Sequence, residues 1–405
     1  MDSETTIGDR VRRARREQGM TQEELAERAG LSRELIAKIE QGRRQSVRLT
    51  SLTRLAQALD VPLSELADSR PRLDGDRDGA SILAIRDVLL APSLLPGIDP
   101  VADDGEPTTL PRLNAAVDRA AEAYWKGAFG PLAAMIPGLI GEAHITWRAT
   151  GASAAEPLTR AYDLTAALMV HMGKEDLAAI AAERAVATAA TGDDELLHAS
   201  MRGTYAWVLL HQGRLEEAER LATDAAHAIE PAFSAPADHV AAWGSLLMTA
   251  LAPAAAAGRG VSDYITLASS GAERIGSQVK IFNTTFAPAS VAMQAVHAYA
   301  VLREPGKALQ AARKVEQDKL PGTISRGRHL LDVAQAHVDA RQGQAATATL
   351  NRARAMAPVW FRHQGVARSL VLELCEQQRR LTPALRELAT SIDPEGYAPY
   401  HRHEN

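Results

Sequence analysis

Five residues between positions 33 and 41 have the types and spacing for recognition chemistry. If Ile36 and Ile39 face inward on a helix, then Arg33, Glu34, Ala37, Lys38 and Gln41 face outward. Arg or Lys can donate to guanine O6 and N7, and Glu can accept from cytosine N4, so this face can read a major groove. Arg43, Arg44 and Arg48 follow with no acid between them, which suits phosphate contacts that set docking register without reading sequence. A solvated face of an ordinary bundle carries the same residue types. What separates the two is arrangement: TQEELA, a turn at AGLS, and IEQG at fixed spacing.

The elements that must position these groups are short helices with strong punctuation. Ile7, Val11 and Ala14 form one apolar stripe, and Gly19 stops that helix. Thr21 with Glu24 three residues on forms a capping box. Leu25, Ala26 and Ala29 give the second helix a buried side, and Gly30 supplies a tight turn. Ser32 caps a third helix that ends at Gly42. Two short helices joined by a Gly turn are helix-turn-helix geometry. Residues 1–59 hold 12 Lys/Arg against nine Asp/Glu, while the whole chain carries −5. A mildly basic head on an acidic body suits a polyanion held at one end.

The stretch resembles the Cro and phage-repressor type of helix-turn-helix, the Xre-like regulators, at Gln22, Leu25, Ala26, Gly30, Ser32, Ile36, Ile39, Glu40 and Gly42. The likeness covers about residues 7–67, with TSLTRLAQALDVPLSEL supplying the fourth and fifth helices. It implies that Gln22 touches backbone phosphate and that Arg33, Glu34 and Lys38 face base edges. It also implies that Glu40 pairs with Arg15 inside the fold, so the RVRRARR run is not read wholesale as a nucleic-acid patch. The candidate DNA-contacting set is Gln22, Ser32, Arg33, Glu34, Lys38, Arg43, Arg44 and Arg48.

The remainder reads as helix. Hydrophobic content is 46% but aromatic content only 4%, so the core is aliphatic and Ala-rich, which favours helix and leaves almost no sheet. Only seven of the 45 basic residues are Lys, a bias expected of a GC-rich genome. Residues 69–80 are polar with Pro and two Gly and read as a linker. Residues 81–111 hold one helix, with Ile82, Ile85 and Leu89 on one side, and a loop with five prolines in twenty residues. From 112 to 392 helices alternate with breaks at Gly173, Gly213, Gly306 and Gly343, and GRG near Gly258 fills the one long gap. A period near 40 signals stacked helical hairpins. The unit TYAWVLLHQGRLEEAERLATDAAHAIEP resembles a degenerate tetratricopeptide repeat at Ala206, Gly213, Ala218 and Ala225, with Ala222 where the repeat usually has an aromatic. Residues 393–405 form a polar tail. The expected fold is all-α: a five-helix DNA-binding head at 1–68, then a tetratricopeptide-like α-solenoid.

Such an array offers a concave surface for a peptide, a small molecule or a partner protein. KIFNTTFAPASV gathers Phe282, Asn283, Thr284, Thr285 and Phe286, with Trp243 upstream. Asn283, Thr285, Phe286 and Trp243 are the candidate effector-binding residues, since Asn can bracket an amide. The alternative places both Phe side chains in a core and Asn283 on a helix cap. As a whole the chain resembles Xre-type regulators with a carboxy-terminal tetratricopeptide sensor, through FNTTFAP, ALQAARKV and RARAMAP. It departs at Ala287, Ala289, Ser290 and Gln294, where that group usually has Gly, Thr, Asn and His, so the ligand here differs or is absent.

No GxxxxGK[ST], HExxH, paired-Cys or GxSxG motif is present. The expectation is therefore no enzyme, no cofactor and no metal site. The single Cys375 fits a reduced, cytoplasmic compartment. No signal peptide is visible, and the longest apolar stretch, Leu246–Ala257, is short and broken by Pro253, so no membrane span is expected. The expected partners are an operator in double-stranded DNA, a second copy of the chain, and a peptide or small-molecule effector. The rival expectation is an adaptor whose solenoid captures a partner protein.

Overall fold

The computed structural model describes residues 7–42, 49–61, 66, 77–91, 107–320, 322–362, 364–378 and 380–392. The described chain is nearly all helix and divides into two compact units. One comprises Met1–Pro71, Ala295–Asp318 and Thr323–Asn405, and the other Arg72–Gln294 with Lys319–Gly322.

The amino-terminal segment folds as α1 (Ile7–Glu17), α2 (Gln22–Ala29), α3 (Arg33–Glu40) and α4 (Leu49–Ala58). The expected caps are in place. Thr21 Oγ1 accepts from the Glu24 amide and the Glu24 side chain accepts from the Thr21 amide. Ser32 Oγ accepts from the Leu35 amide at 3.2 Å. Val11, Ala14, Leu25, Ala26, Ala29, Ile36, Ile39, Leu52, Leu55 and Leu59 make one core. The stripes read from spacing therefore meet in a single apolar cluster. Of the expected fifth helix only Leu66 lies among the described residues, and it is buried in that core.

The expected linker 69–80 is shorter than its composition suggests, because a helix already runs Arg77–Leu89. Ile85 and Leu89 of that helix are fully buried, as the spacing predicts. Helical hairpins follow: Leu110–Trp125 with Phe129–Thr150, Ala155–His171 with Glu175–Ala189, Glu195–His211 with Leu215–Ala228, and Ala237–Ala256 with Ser262–Ile275. Further helices are Pro288–Val301, Pro305–Ala312, Gly322–Asp339, Gly343–Met356, Pro358–Arg362, Gly365–Gln377 and Pro383–Ile392. Cys375 is buried and in no disulfide, within the helix Gly365–Gln377.

The hairpin turns repeat one device. A residue in the left-handed region is followed by one whose amide donates to the carbonyl five residues back, at 2.8–3.0 Å. This closure satisfies helix-end carbonyls. The left-handed residues are Gly127, Gly173, Gly213, Gly258, Arg303 and Arg341, spaced by 46, 40, 45, 45 and 38. The period near 40 holds, but its register needs correction in the last two turns. Gly306 and Gly343 lie in the first turn of the following helices, and arginines occupy the turn positions. Close approach between helices relies on small side chains. Ala206, Ala222 and Ala250 form one cluster, and a Cβ on Gly203 would sit 2.7 Å from Leu246.

Two further expectations change. Pro253 does not break its segment: it sits inside the helix Ala237–Ala256, one turn from the C-terminal end, at the cost of the one bond an amide there would donate to the carbonyl four residues back. Among the described residues this helix is long and apolar enough to cross a membrane by length and composition, yet 67% of that window is buried inside the protein. It is a core helix. The other change is a two-stranded antiparallel hairpin, β1 (Val279–Ile281) and β2 (Thr284–Phe286), in the segment KIFNTTF. Its register pairs Val279 with Phe286, Lys280 with Thr285 and Ile281 with Thr284.

Candidate nucleic-acid interface

The candidate interface is built around the seating of α3. Ile36 and Ile39 are completely buried, which turns Arg33, Glu34, Lys38 and Gln41 to the exposed side, with Ala37 half-buried between them. The seating is close: a Cβ on Gly8 of α1 would lie 2.1 Å from the carbonyl oxygen of Ile39, so only glycine fits beneath the end of α3.

A buried ion pair fixes the same end. Arg15 Nε donates to Glu40 Oε1 at 2.6 Å and its Nη2 to Oε2 at 2.9 Å, a bidentate fork. Arg15 Nη1 also donates to the carbonyl of Met20 at 2.6 Å, which ties α1, the loop before α2, and α3 together. Burial would raise the Glu40 carboxyl. The bonds from Arg15 and Gln22 and the charges of Arg15 and Arg12 outweigh it, so the group is held below the ordinary carboxylate range.

Gln22 is part of this network. Its Nε2 donates to Glu40 Oε2 at 2.8 Å and the side chain is half-buried, so one amide hydrogen is committed inside the head. The arginine run of α1 is more internal than the sequence suggests. Arg10 is buried with Nε on the Leu66 carbonyl at 3.2 Å, and Arg12 lies 3.7 Å from Asp9 and 3.9 Å from Glu40. Arg13 lies 4.0 Å from Glu17. Sequence reasoning set aside one arginine for the fold, and the structure uses two fully. The signal for Arg10 was its place next to Val11, one turn from Ile7 on the buried side.

Chemically, the exposed side of α3 offers a guanidinium, a carboxylate, an ammonium and a carboxamide within two turns. Lys38 Nζ rests 2.8 Å from Glu34 Oε1, which lowers the Glu34 carboxyl from its ordinary value. Both groups are exposed and exchange this contact for another at little cost. Ser32 is exposed at the start of α3, its hydroxyl accepting from Leu35. Arg43, Arg44 and Arg48 lie outside the described residues.

The candidate effector residues are distributed differently. Phe286 is core: it is 1% exposed, and its ring fills the space a Cβ on Gly244 would take, 2.2 Å from Cζ. It cannot also line an open pocket. Trp243 is half-buried and packs over Gly271, 3.3 Å from where a Cβ would stand. Thr285 is half-buried in β2. Asn283 caps no helix. It sits in the hairpin turn, and its Nδ2 donates to Oδ2 of Asp163, 120 residues away. Asp163 also accepts from Thr204 Oγ1 at 2.7 Å. Neither Asp163 nor Thr204 was singled out from sequence. The available signal was an aspartate within AYDLTAALM, a segment with no polar face for it to occupy.

Comparison with known proteins bears on the head. A helix-turn-helix family model matches residues 11–66. A relative from Sinorhizobium fredii (strain NBRC 101917 / NGR234), the uncharacterized HTH-type transcriptional regulator y4dJ, is 44% identical over 66 residues, 16% of this chain and 84% of that protein. Among solved structures, Bacillus thuringiensis PlcR in complex with the peptide PapR7 and DNA matches with 14% identity and a TM-score of 0.30, over 68% of this chain and 96% of that one. At that score no residue-by-residue correspondence follows.

Proposed function

This chain belongs to the helix-turn-helix transcriptional regulators, and we propose that it reads a specific operator in double-stranded DNA through the exposed face of α3. One observation carries the reading: Arg33, Glu34, Lys38 and Gln41 share the exposed side of a helix whose other side is locked by Ile36, Ile39 and the Glu40–Arg15 fork. Recognition needs base-reading groups on a rigid element, and that fork supplies the rigidity. In this reading Arg33 and Lys38 donate to guanine and Glu34 accepts from cytosine. Arg43, Arg44 and Arg48 neutralise phosphates, with Ser32 and the remaining amide hydrogen of Gln22 at the backbone. Residues 1–68 act as the DNA head and 112–392 as the helical array that pairs two chains and takes a peptide or small-molecule effector. Such a regulator works in the cytoplasm, where the chromosome is.

The test is a pair of substitutions. Arg33→Ala is expected to cost about 1–3 kcal/mol on operator DNA and to relax specificity at one position. Arg43→Ala is expected to weaken operator and scrambled DNA alike and to flatten the salt dependence. Titrations on both DNAs at two salt concentrations measure this. Equal losses on both DNAs for Arg33→Ala would refute the base-reading role.

A further inference from the structure

Three costs meet at the tip of the β1–β2 hairpin. The two-residue turn Phe282–Asn283 puts Phe282 at φ 49°, a corner that glycine normally occupies and where a bulky side chain is strained. Asn283 commits its Nδ2 to Asp163, but its Oδ1 is buried with no hydrogen-bond partner. Asp163 is 6% exposed, and burial pushes its carboxyl above the ordinary range despite the bonds from Thr204 and Asn283 and the charge of Arg160.

The base of the hairpin carries none of these costs. Phe286 is seated over Gly244, Ile281 is buried, and both strands pack on the helix Ala237–Ala256. The base alone would hold the hairpin to the protein. The tip reaches further, to the first helices of two earlier hairpins: Asp163 lies in Ala155–His171 and Thr204 in Glu195–His211, and Phe282 packs against their apolar cluster. Strain, an orphaned acceptor and a buried acid concentrated at one removable contact mark a switch more than a staple.

We infer that the hairpin tip is a latch occupying a binding site on this row of helices, and that the Asp163–Thr204 pair beneath it recognises a peptide segment presenting a carboxamide beside an aromatic side chain. Asn283 and Phe282 are the built-in occupant. A ligand of that chemistry displaces them, the turn relaxes, and the anchored base remains as the pivot. The inference rests on the effector reading above and specifies its site.

The experiment uses the full-length chain. Hydrogen exchange of the amides from 279 to 286 is compared in the wild type, Asn283→Ala and Asp163→Asn. At least tenfold faster exchange is expected in both variants, with the helix Leu215–Ala228 unchanged as the control for folding. The probe is an amidated peptide of the hairpin's own sequence, VKIFNTTF. It is expected to bind Asn283→Ala at least tenfold more tightly than the wild type, and to lose that binding when its own Asn is replaced by Ala. Unaltered exchange in both variants, or equal affinity of the peptide for wild type and Asn283→Ala, overturns the latch. Operator affinity indifferent to the bound peptide would sink the effector reading and leave the latch standing.

Discussion

Glu40 holds the largest consequence per atom. Its side chain is 2% exposed and that of Arg15 12%, so removing the acid strands a guanidinium that cannot reach water freely. Glu40→Ala is expected to destabilise the head by about 3 kcal/mol. Chemical denaturation followed by the head's helical signal would measure it, and a loss under 1 kcal/mol would show that Arg15 finds another partner. Because the Glu40 carboxyl is lowered in the fold, its contribution is complete above the ordinary carboxylate value. It fades as the pH falls through the lower folded value. His144 gives a second pH effect of a different shape. Its Nε2 lies 2.6 Å from the Tyr162 hydroxyl, and burial, with the charges of Arg148 and Arg184, lowers it to about 4. The unfolded chain takes a proton near pH 6.5 and the folded one does not, so stability is full above 6.5 and declines from there to about 4. His144→Gln is expected to flatten that decline. Urea titrations at pH 7 and pH 5 would check it, and an equal drop in variant and wild type would assign the effect elsewhere.

At the scale of elements the six repeated turns make an internal comparison. Gly258 stands at φ 74° with open space where a Cβ would go, so Gly258→Ala tests backbone strain alone. The expected cost is about 1–2 kcal/mol. Arg303 already bears that strain at φ 60°, so Arg303→Gly is expected to change stability by less than about 1 kcal/mol, in the stabilising direction. Thermal unfolding midpoints of the two variants should move in opposite directions. The same turns show what was legible in the sequence. Helix periods, caps and the repeat length are local signals, and Thr21, Ser32, Ile36 and Gly213 fell where pattern put them. The register failed at Arg303 and Arg341 because a glycine three or two residues later mimicked the turn signal while serving only as a helix start. The hairpin was invisible for another reason. KIFNTTF has no Asn-Gly or Asp-Gly at its corner, and its turn is set by an acid 120 residues away. Long-range pairing of that kind leaves no trace in spacing. For the interface, the exposed set on α3 was readable, while Gln22's use on Glu40 depended on three helices meeting.

For the whole molecule, charge sets the terms on which DNA is found. Residues 1–59 carry +3 and the chain −5, which leaves −8 on the remainder. A net acidic protein is repelled by a polyanion at long range, so attraction must come from the head at close quarters and must be steep in salt. One head of this size spans only a few base pairs, and the exposed face of the eight-residue α3 can reach few base edges. Specificity against a genome therefore calls for two heads on one site. If two chains pair, their half-sites face the same side of the duplex and lie one helical turn apart, about 34–36 Å, or a multiple of it. Inserting five base pairs between the half-sites rotates one head to the opposite side and is expected to cut affinity at least tenfold. Inserting ten restores the face at greater distance and is expected to recover part of that loss. Gel-shift titrations on the three operators, with complex mass measured alongside, separate the cases. A paired regulator gives the alternating pattern and a complex holding two chains. A single chain bound to a single half-site gives equal affinity on all three, and with that result pairing through the helical array would be withdrawn.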